Sequence, residues 1–263
     1  MIFRVGSVAR WHFQAPASLA APRLPLRRGP IRMCGRFTNR YSWRELKELY
    51  ELSDTLYPQA PSNFEPRYNI APTQTSFVVR LSADGQRELV QLRWGLLPRW
   101  ATAPRDGARM INARCETVAT SRAYKEPFRL RPCLVVADGF YEWAKGTTAT
   151  KQPYFLQRKN GAPFAFAGLW EARHLTGEDS FTIITCPANA RVASVHDRMP
   201  LMLVPDAWPA WLESPRTRLA CLSQSLPAED IDLWPVDRKV GSPRSQGAEL
   251  ITPIALKAAD GRP

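Results

Sequence analysis

The chain has 263 residues, 44% of them hydrophobic, and a formal net charge of +12. That apolar share supports a packed core and excludes wholesale disorder, and the length suits one large domain or two small ones. No apolar run reaches the roughly 18–20 residues of a membrane span, and five cysteines without a CxxC pair, beside three histidines, argue against a zinc site.

Residues 1–32 carry six arginines and four prolines (Pro16, Pro22, Pro25, Pro30), with no lysine and no acid. They lack the apolar stretch of a secretory signal and the clean amphipathicity of a transit peptide. The reading is an upstream extension ahead of the true start, with a disordered tail as the alternative. The remaining residues keep 30 basic and 24 acidic side chains. That excess suits a polyanion such as nucleic acid, although solubility alone accounts for it equally well. The odd cysteine count points to a reducing compartment.

Met33-Cys34-Gly35 has the form of a start site whose initiator is trimmed. Trimming leaves Cys34 with a free α-amine beside its thiol. Both groups titrate near pH 8, so both are partly nucleophilic at neutral pH. An amine adds to an aldehyde to give a Schiff base, and the adjacent thiol then attacks intramolecularly. By residue type alone, a small buried cysteine is the blander reading.

Ser42 to Leu52 predicts a helix, with Ser42 as cap, Glu45 completing a capping box, and Trp43, Leu46, Leu49 and Tyr50 on one apolar face. Residues 58–72 are proline-rich and read as irregular. Strands are expected at Ser76 to Leu81, Glu88 to Trp94, Cys133 to Trp143, Pro153 to Arg158, Phe164 to Trp170, Phe181 to Cys186 and Leu201 to Val204. Asp84-Gly85, Lys145-Gly146, Asn160-Gly161 and Thr176-Gly177 supply turns. Short helices are expected around 115–129, 187–195, 206–213 and 226–231. The pattern gives one α+β domain on a curved, barrel-like, mostly antiparallel sheet. It spans 34–256, with 1–33 as the extension and 257–263 as a tail.

Other residues carry chemistry. Glu142, in Asp138-Gly139-Phe140-Tyr141-Glu142-Trp143, shares a strand face with Phe140 and stands among aromatics. Desolvation there raises a carboxylate's pKa toward proton-transfer use; a surface carboxylate is the alternative. His196 titrates near neutral pH, although a lone histidine is more often structural. Arg198 suits a phosphate or an ion pair with Asp197. Asn112 suits an amine or hydroxyl, and Arg114 a phosphate or a pair with Glu116. Trp94 and Trp100 stand near Arg93 and Arg99, an interleaving that single-stranded DNA binding uses and that a core also explains. No phosphate loop, serine elbow or HExxH motif is present.

Taken together, MCGRF (33–37), RYNIAPTQ (67–74), RWGLLPRWA (93–101), INARCETVATSRAYKEPF (111–128), CLVVADGFYEW (133–143), KQPYF (151–155), FAFAGLW (164–170), TIITCPAN (182–189), HDRMPLML (196–203) and QGAELITPI (246–254) closely resemble the SRAP family, bacterial members above all. These are the abasic-site processing proteins, also called SOS response-associated peptidases. The resemblance implies an α+β fold with a basic cleft for single-stranded DNA. It implies a covalent thiazolidine crosslink between Cys34 and an abasic site in the DNA-damage (SOS) response, with lyase activity if the Schiff base eliminates. Asn112, Glu142 and His196 match the other active-site positions, and Arg36, Trp94, Arg114 and Arg198 match DNA-contacting ones. No metal or cofactor is implied. The expected protein is monomeric and cytoplasmic, and joins the nucleoid when engaged on DNA. Residues 1–32 have no counterpart and would block the chemistry. Cys115 is a second thiol beside Arg114, and Gly241-Ser242-Pro243 falls where members often carry asparagine. The rival readings are a thiol autopeptidase acting on its own N-terminal segment and a non-covalent single-stranded DNA-binding module.

Overall fold

The computed structural model describes residues 34–53, 59–61, 64–144, 151–172, 177–224 and 226–256. The expected extension (1–33), the tail (257–263), the turn at Lys145-Gly146 and Thr176 lie outside them.

The chain enters through β1 (Arg36–Asn39) and α1 (Trp43–Tyr50). The predicted capping box forms: Glu45 N–H donates to Ser42 Oγ at 3.3 Å, and Ser42 N–H donates to Glu45 Oε2 at 2.6 Å. Leu46 and Tyr50 are buried, and Tyr50 stacks flat on Trp208 with ring centroids 4.4 Å apart. The segment read as irregular contains β2 (Arg67–Ile70), which pairs antiparallel with β1. A polar four-residue strand has no alternation long enough to show in sequence; its partner defines it.

Next come β3 (Thr75–Leu81) and β4 (Arg87–Trp94), joined at Gly85 with φ +79°. Then come β5 (Asn112–Arg114), α2 (Lys125–Leu130), β6 (Pro132–Ala137) and β7 (Gly139–Trp143). Only the last turns of the helix expected at 115–129 are helical. The run expected as one strand from Cys133 to Trp143 is two, broken at Asp138. Thr38 Oγ1, Arg40 N–H and Arg40 Nε donate to the Asp138 carboxylate and hold the corner. Gly139 is required there, because a Cβ would lie 2.2 Å from Phe155 Cζ.

The chain continues through β8 (Pro153–Arg158), β9 (Phe164–Glu171), β10 (Ser180–Pro187), α3 (Ala190–Ala193), β11 (Arg198–Pro200) and β12 (Met202–Leu203). It closes with α4 (Trp208–Glu213), α5 (Pro215–Cys221) and β13 (Ile231–Pro235). The sequence signalled no helix at α5. Where it suggested a helix at 226–231, a single 3-10 turn leads into β13.

Two sheets result. One runs β13-β8-β7-β1-β2, all antiparallel. The other runs β11-β10-β4-β3-β6-β9-β12, and β9 pairs back onto β10. The ring so formed is partial rather than a full barrel: β4 meets β10 through two residue pairs, in parallel. The α+β fold with a curved, largely antiparallel core is as expected, apart from the parallel pairs that β10 makes with β4 and β5. Phe37 of the first sheet packs edge-on against Trp94 and Phe166 of the second, which fixes the two sheets face to face.

Candidate active site

Cys34 lies two residues before β1, with 1% of its surface exposed. Buried Phe37 anchors the strand behind it. The register Arg36↔Tyr141 brings the Cys34–Gly35 segment alongside Glu142. The amide N–H groups of Cys34 and Trp143 donate to the Glu142 carboxylate. Asn112 Nδ2 donates to the Cys34 carbonyl at 3.2 Å.

Strand alternation puts Phe140 and Glu142 on one face and Tyr141 on the other, as expected. Glu142 is 2% exposed, and its Oε1 has no hydrogen-bond partner. Burial pushes its pKa up to about 8, against the two amides that lower it. The charge of Asp197 pushes the same way as burial and that of Lys151 opposes it. Asn112 Oδ1 is likewise buried and unpartnered. Two residues that contact the Cys34 backbone thus each keep a buried acceptor without a partner.

The Cys34 thiol does not have the pKa of a free cysteine. Burial first, and then the nearby Glu142 charge, push it well above its ordinary value, against an opposing hydrogen bond from the Arg36 amide. The resting group is a neutral thiol that needs a proton acceptor before it can attack.

His196 follows α3, whose first turn Asn189 caps at 3.0 Å. Its ring Nδ1 lies 3.1 Å from the Arg198 amide nitrogen and 3.2 Å from the Arg198 carbonyl oxygen, so it accepts from the first in one tautomer and donates to the second in the other. Asp197 Oδ1 is 3.2 Å from the same nitrogen. His196 and Glu142 line one cleft of about 640 Å³ with Gly35, Arg36, Pro72, Ala108, Ile111, Trp143, Lys151 and Gly241.

The expected DNA-contacting residues are placed differently from one another. Arg36 lines the cleft, but its guanidinium donates to Asn69 Oδ1 (2.9 Å), Val240 O (2.6 Å) and Gly241 O (2.9 Å). Arg198 grips both oxygens of Glu116 and donates to Thr185 O at 2.7 Å. Its carboxylate partner is Glu116, not Asp197, and that bond holds the Glu116 pKa down to about 2. Arg114 is exposed at the end of β5. Trp94 is fully buried, and its Nε1–H donates to Ile111 O at 2.9 Å. It supports the cleft wall from behind. Cys115 sits beyond β5, half-buried, and its thiol pKa is also raised by burial.

Two supporting residues were missed. Tyr124 OH donates to the Asn112 carbonyl at 3.2 Å, so Trp94 and Tyr124 hold both peptide carbonyls that flank the Asn112 amide. Asn69 is fully buried and donates to Val240 O, Ser242 O and Ser245 O. Backbone carbonyls at 240–242 thus supply polar contacts where a side-chain amide was absent. Neither residue had a local signal, because both work through partners distant in the chain. Among the described residues, no cluster of three or more His, Cys, Asp or Glu could hold a metal, and no helix is long and apolar enough to cross a membrane.

The chain is similar to the abasic site processing protein YoaM of Bacillus subtilis, 35% identical over 225 residues, covering 83% of this chain and 97% of the relative. It is similar to YedK of Escherichia coli, 34% identical over 230 residues, covering 84% and 100%. Among solved structures, a phage-related protein of Bordetella bronchiseptica superposes with a TM-score of 0.63 at 28% identity, covering 78% of this chain and 95% of that one. The model of the family described as SOS response associated peptidase (SRAP) matches residues 33–243, from the residue before Cys34 to the loop that holds Arg36, so the chain belongs to the SRAP family.

Proposed function

We propose that this protein captures abasic sites in single-stranded DNA as a covalent thiazolidine on Cys34. One observation carries the reading: the Cys34 nitrogen is hydrogen-bonded to a buried carboxyl poised near neutral pH, in a cleft shared with His196. The similar proteins named for abasic-site processing support the same substrate.

With Met33 and the residues before it removed, that nitrogen is a free amine. It attacks the C1′ aldehyde of the ring-opened sugar to give a carbinolamine. Glu142, protonated, donates to the departing hydroxyl, and water leaves as the Schiff base forms. Glu142 is now a carboxylate beside a neutral thiol. It takes the thiol proton and is a carboxylic acid again, while the sulfur adds to the iminium carbon and the ring nitrogen keeps the hydrogen it carried as an amine. The sum is one water lost and one five-membered ring formed. The raised thiol pKa is tolerable because the acid of the first step is the base of the second. His196 serves sugar ring opening, and Asn112 orients the Cys34 segment. Exposed Trp100, with Arg122 stacked on its ring at 5.4 Å, offers a base-stacking surface outside the cleft.

Intact-mass spectrometry of the full reading frame, with a single-stranded oligonucleotide carrying one abasic site, tests this. The expected product begins at Cys34 and gains the oligonucleotide mass less one water. An adduct that persists in Cys34→Ala, or none on a chain verified to begin at Cys34, overturns the reading. A non-covalent binding module predicts no band surviving a denaturing gel.

The Glu142 contact also favours self-maturation. A carboxyl bonded to the Cys34 amide stands where it can protonate the leaving nitrogen of the Met33–Cys34 bond. Loss of N-terminal cleavage in Glu142→Gln, with no aminopeptidase present, is the expected sign; cleavage that continues in the variant removes Glu142 from that step.

A further inference from the structure

Lys151 stands just beyond the last β7–β8 pair, Trp143↔Pro153, where the Ala144 N–H donates to Gln152 O at 2.9 Å. It is exposed and lines the cleft beside Glu142, Trp143 and His196. Arg36 and Arg198 also border the site, but protein acceptors hold them: three carbonyl-type oxygens for Arg36, and a carboxylate and a carbonyl for Arg198. The Lys151 ammonium makes no hydrogen bond or ion pair among the described residues. A compact cation on a flexible stem adapts to a phosphate without a preset geometry.

Resting on the abasic-site reading, we propose that Lys151 binds the backbone phosphate next to the lesion and so seats the opened sugar against the Cys34 nitrogen. One consequence concerns the acid. The Lys151 charge favours ionised Glu142 in the empty cleft. A phosphate paired with that ammonium cancels its influence, so strand binding itself favours the protonated carboxyl that dehydration needs.

The test uses the full chain and a single-stranded oligonucleotide with a tetrahydrofuran site, which lacks the aldehyde and binds only non-covalently. Lys151→Gln is expected to weaken binding roughly three- to tenfold and to lower the slope of log affinity against log salt by about 0.7, the value for one single-strand phosphate contact. Lys151→Arg should restore both. Replacing one flanking phosphate with an uncharged methylphosphonate should weaken the wild type by the same factor and Lys151→Gln no further. An unchanged slope in Lys151→Gln, or fully additive losses with methylphosphonates on either side, overturns the proposal while leaving Cys34 capture standing. A wild type that crosslinks no abasic strand in the mass experiment sinks the functional reading instead.

Discussion

The proposed capture takes its pH dependence from Glu142. Its carboxyl has an ordinary value of 4.5 and is raised to about 8, burial outweighing the two amides. The crosslinking rate is expected to fall above about pH 8 as the acid ionises, and Glu142→Gln should lose that limb along with most of the rate; stopped samples on denaturing gels across pH 6–9 read both. Stability follows the same titration with a definite sign. Between its two pKa values the folded chain holds a proton that the unfolded chain has released. The carboxyl's contribution is therefore whole below pH 4.5 and declines as pH rises to about 8, by up to about 1.4 kcal/mol per unit. Glu142→Gln carries no such penalty. It should be more stable than wild type at pH 8 and nearly equal at pH 4.5, as urea midpoints at the two pH values would show. Much of this was legible. Alternation in Phe140-Tyr141-Glu142 assigned the face, and the aromatics around it implied desolvation. The protonated state of Cys34 was not, because burial is contributed by strands that are remote in the chain.

At the scale of elements, the helices depend on a side chain that no local pattern flags. Arg218 of α5 is 1% exposed and donates to Trp211 O and Leu212 O of α4 and to Phe128 O of α2. One guanidinium thus satisfies carbonyls at the ends of two neighbouring helices. Arg218→Met should destabilise the fold by about 2–4 kcal/mol, since it leaves buried carbonyls unpaired. Chemical denaturation measures this, and a change below about 0.5 kcal/mol would mean that water replaces the contacts. The contrast with α1 explains what sequence shows. Ser42 and Glu45 cap a helix three residues apart and can be read directly. Strands β1, β2 and β5 are three or four residues long and exist because of the ladders they join, so residue pattern alone hides them.

For the whole molecule, β10 is the joining element. Along its length it pairs with β9, β4, β5 and β11. β13 and β2, by contrast, are edge strands of the other sheet. Hydrogen exchange should rank the chain accordingly: amides of Ser180–Pro187 should open only with global unfolding, and those of Ile231–Pro235 sooner. Equal protection of the two strands would count against a ring that closes through β10. The curved antiparallel core was legible from strand spacing and from the family resemblance. The closure was not, because its parallel pairs join segments far apart in the chain.

That closure also implies a clock. The fold buries Cys34, yet the strand that completes it emerges from the ribosome about 150 residues later, roughly 7–30 seconds at ~5–20 residues per second. A trimming enzyme that needs Cys34 exposed has that interval in which to act. Slower synthesis lengthens it, and faster folding shortens it. Under the proposed capture, and where an outside enzyme rather than Glu142 does the trimming, the proportion of competent molecules is then decided during translation, before any of them meets DNA.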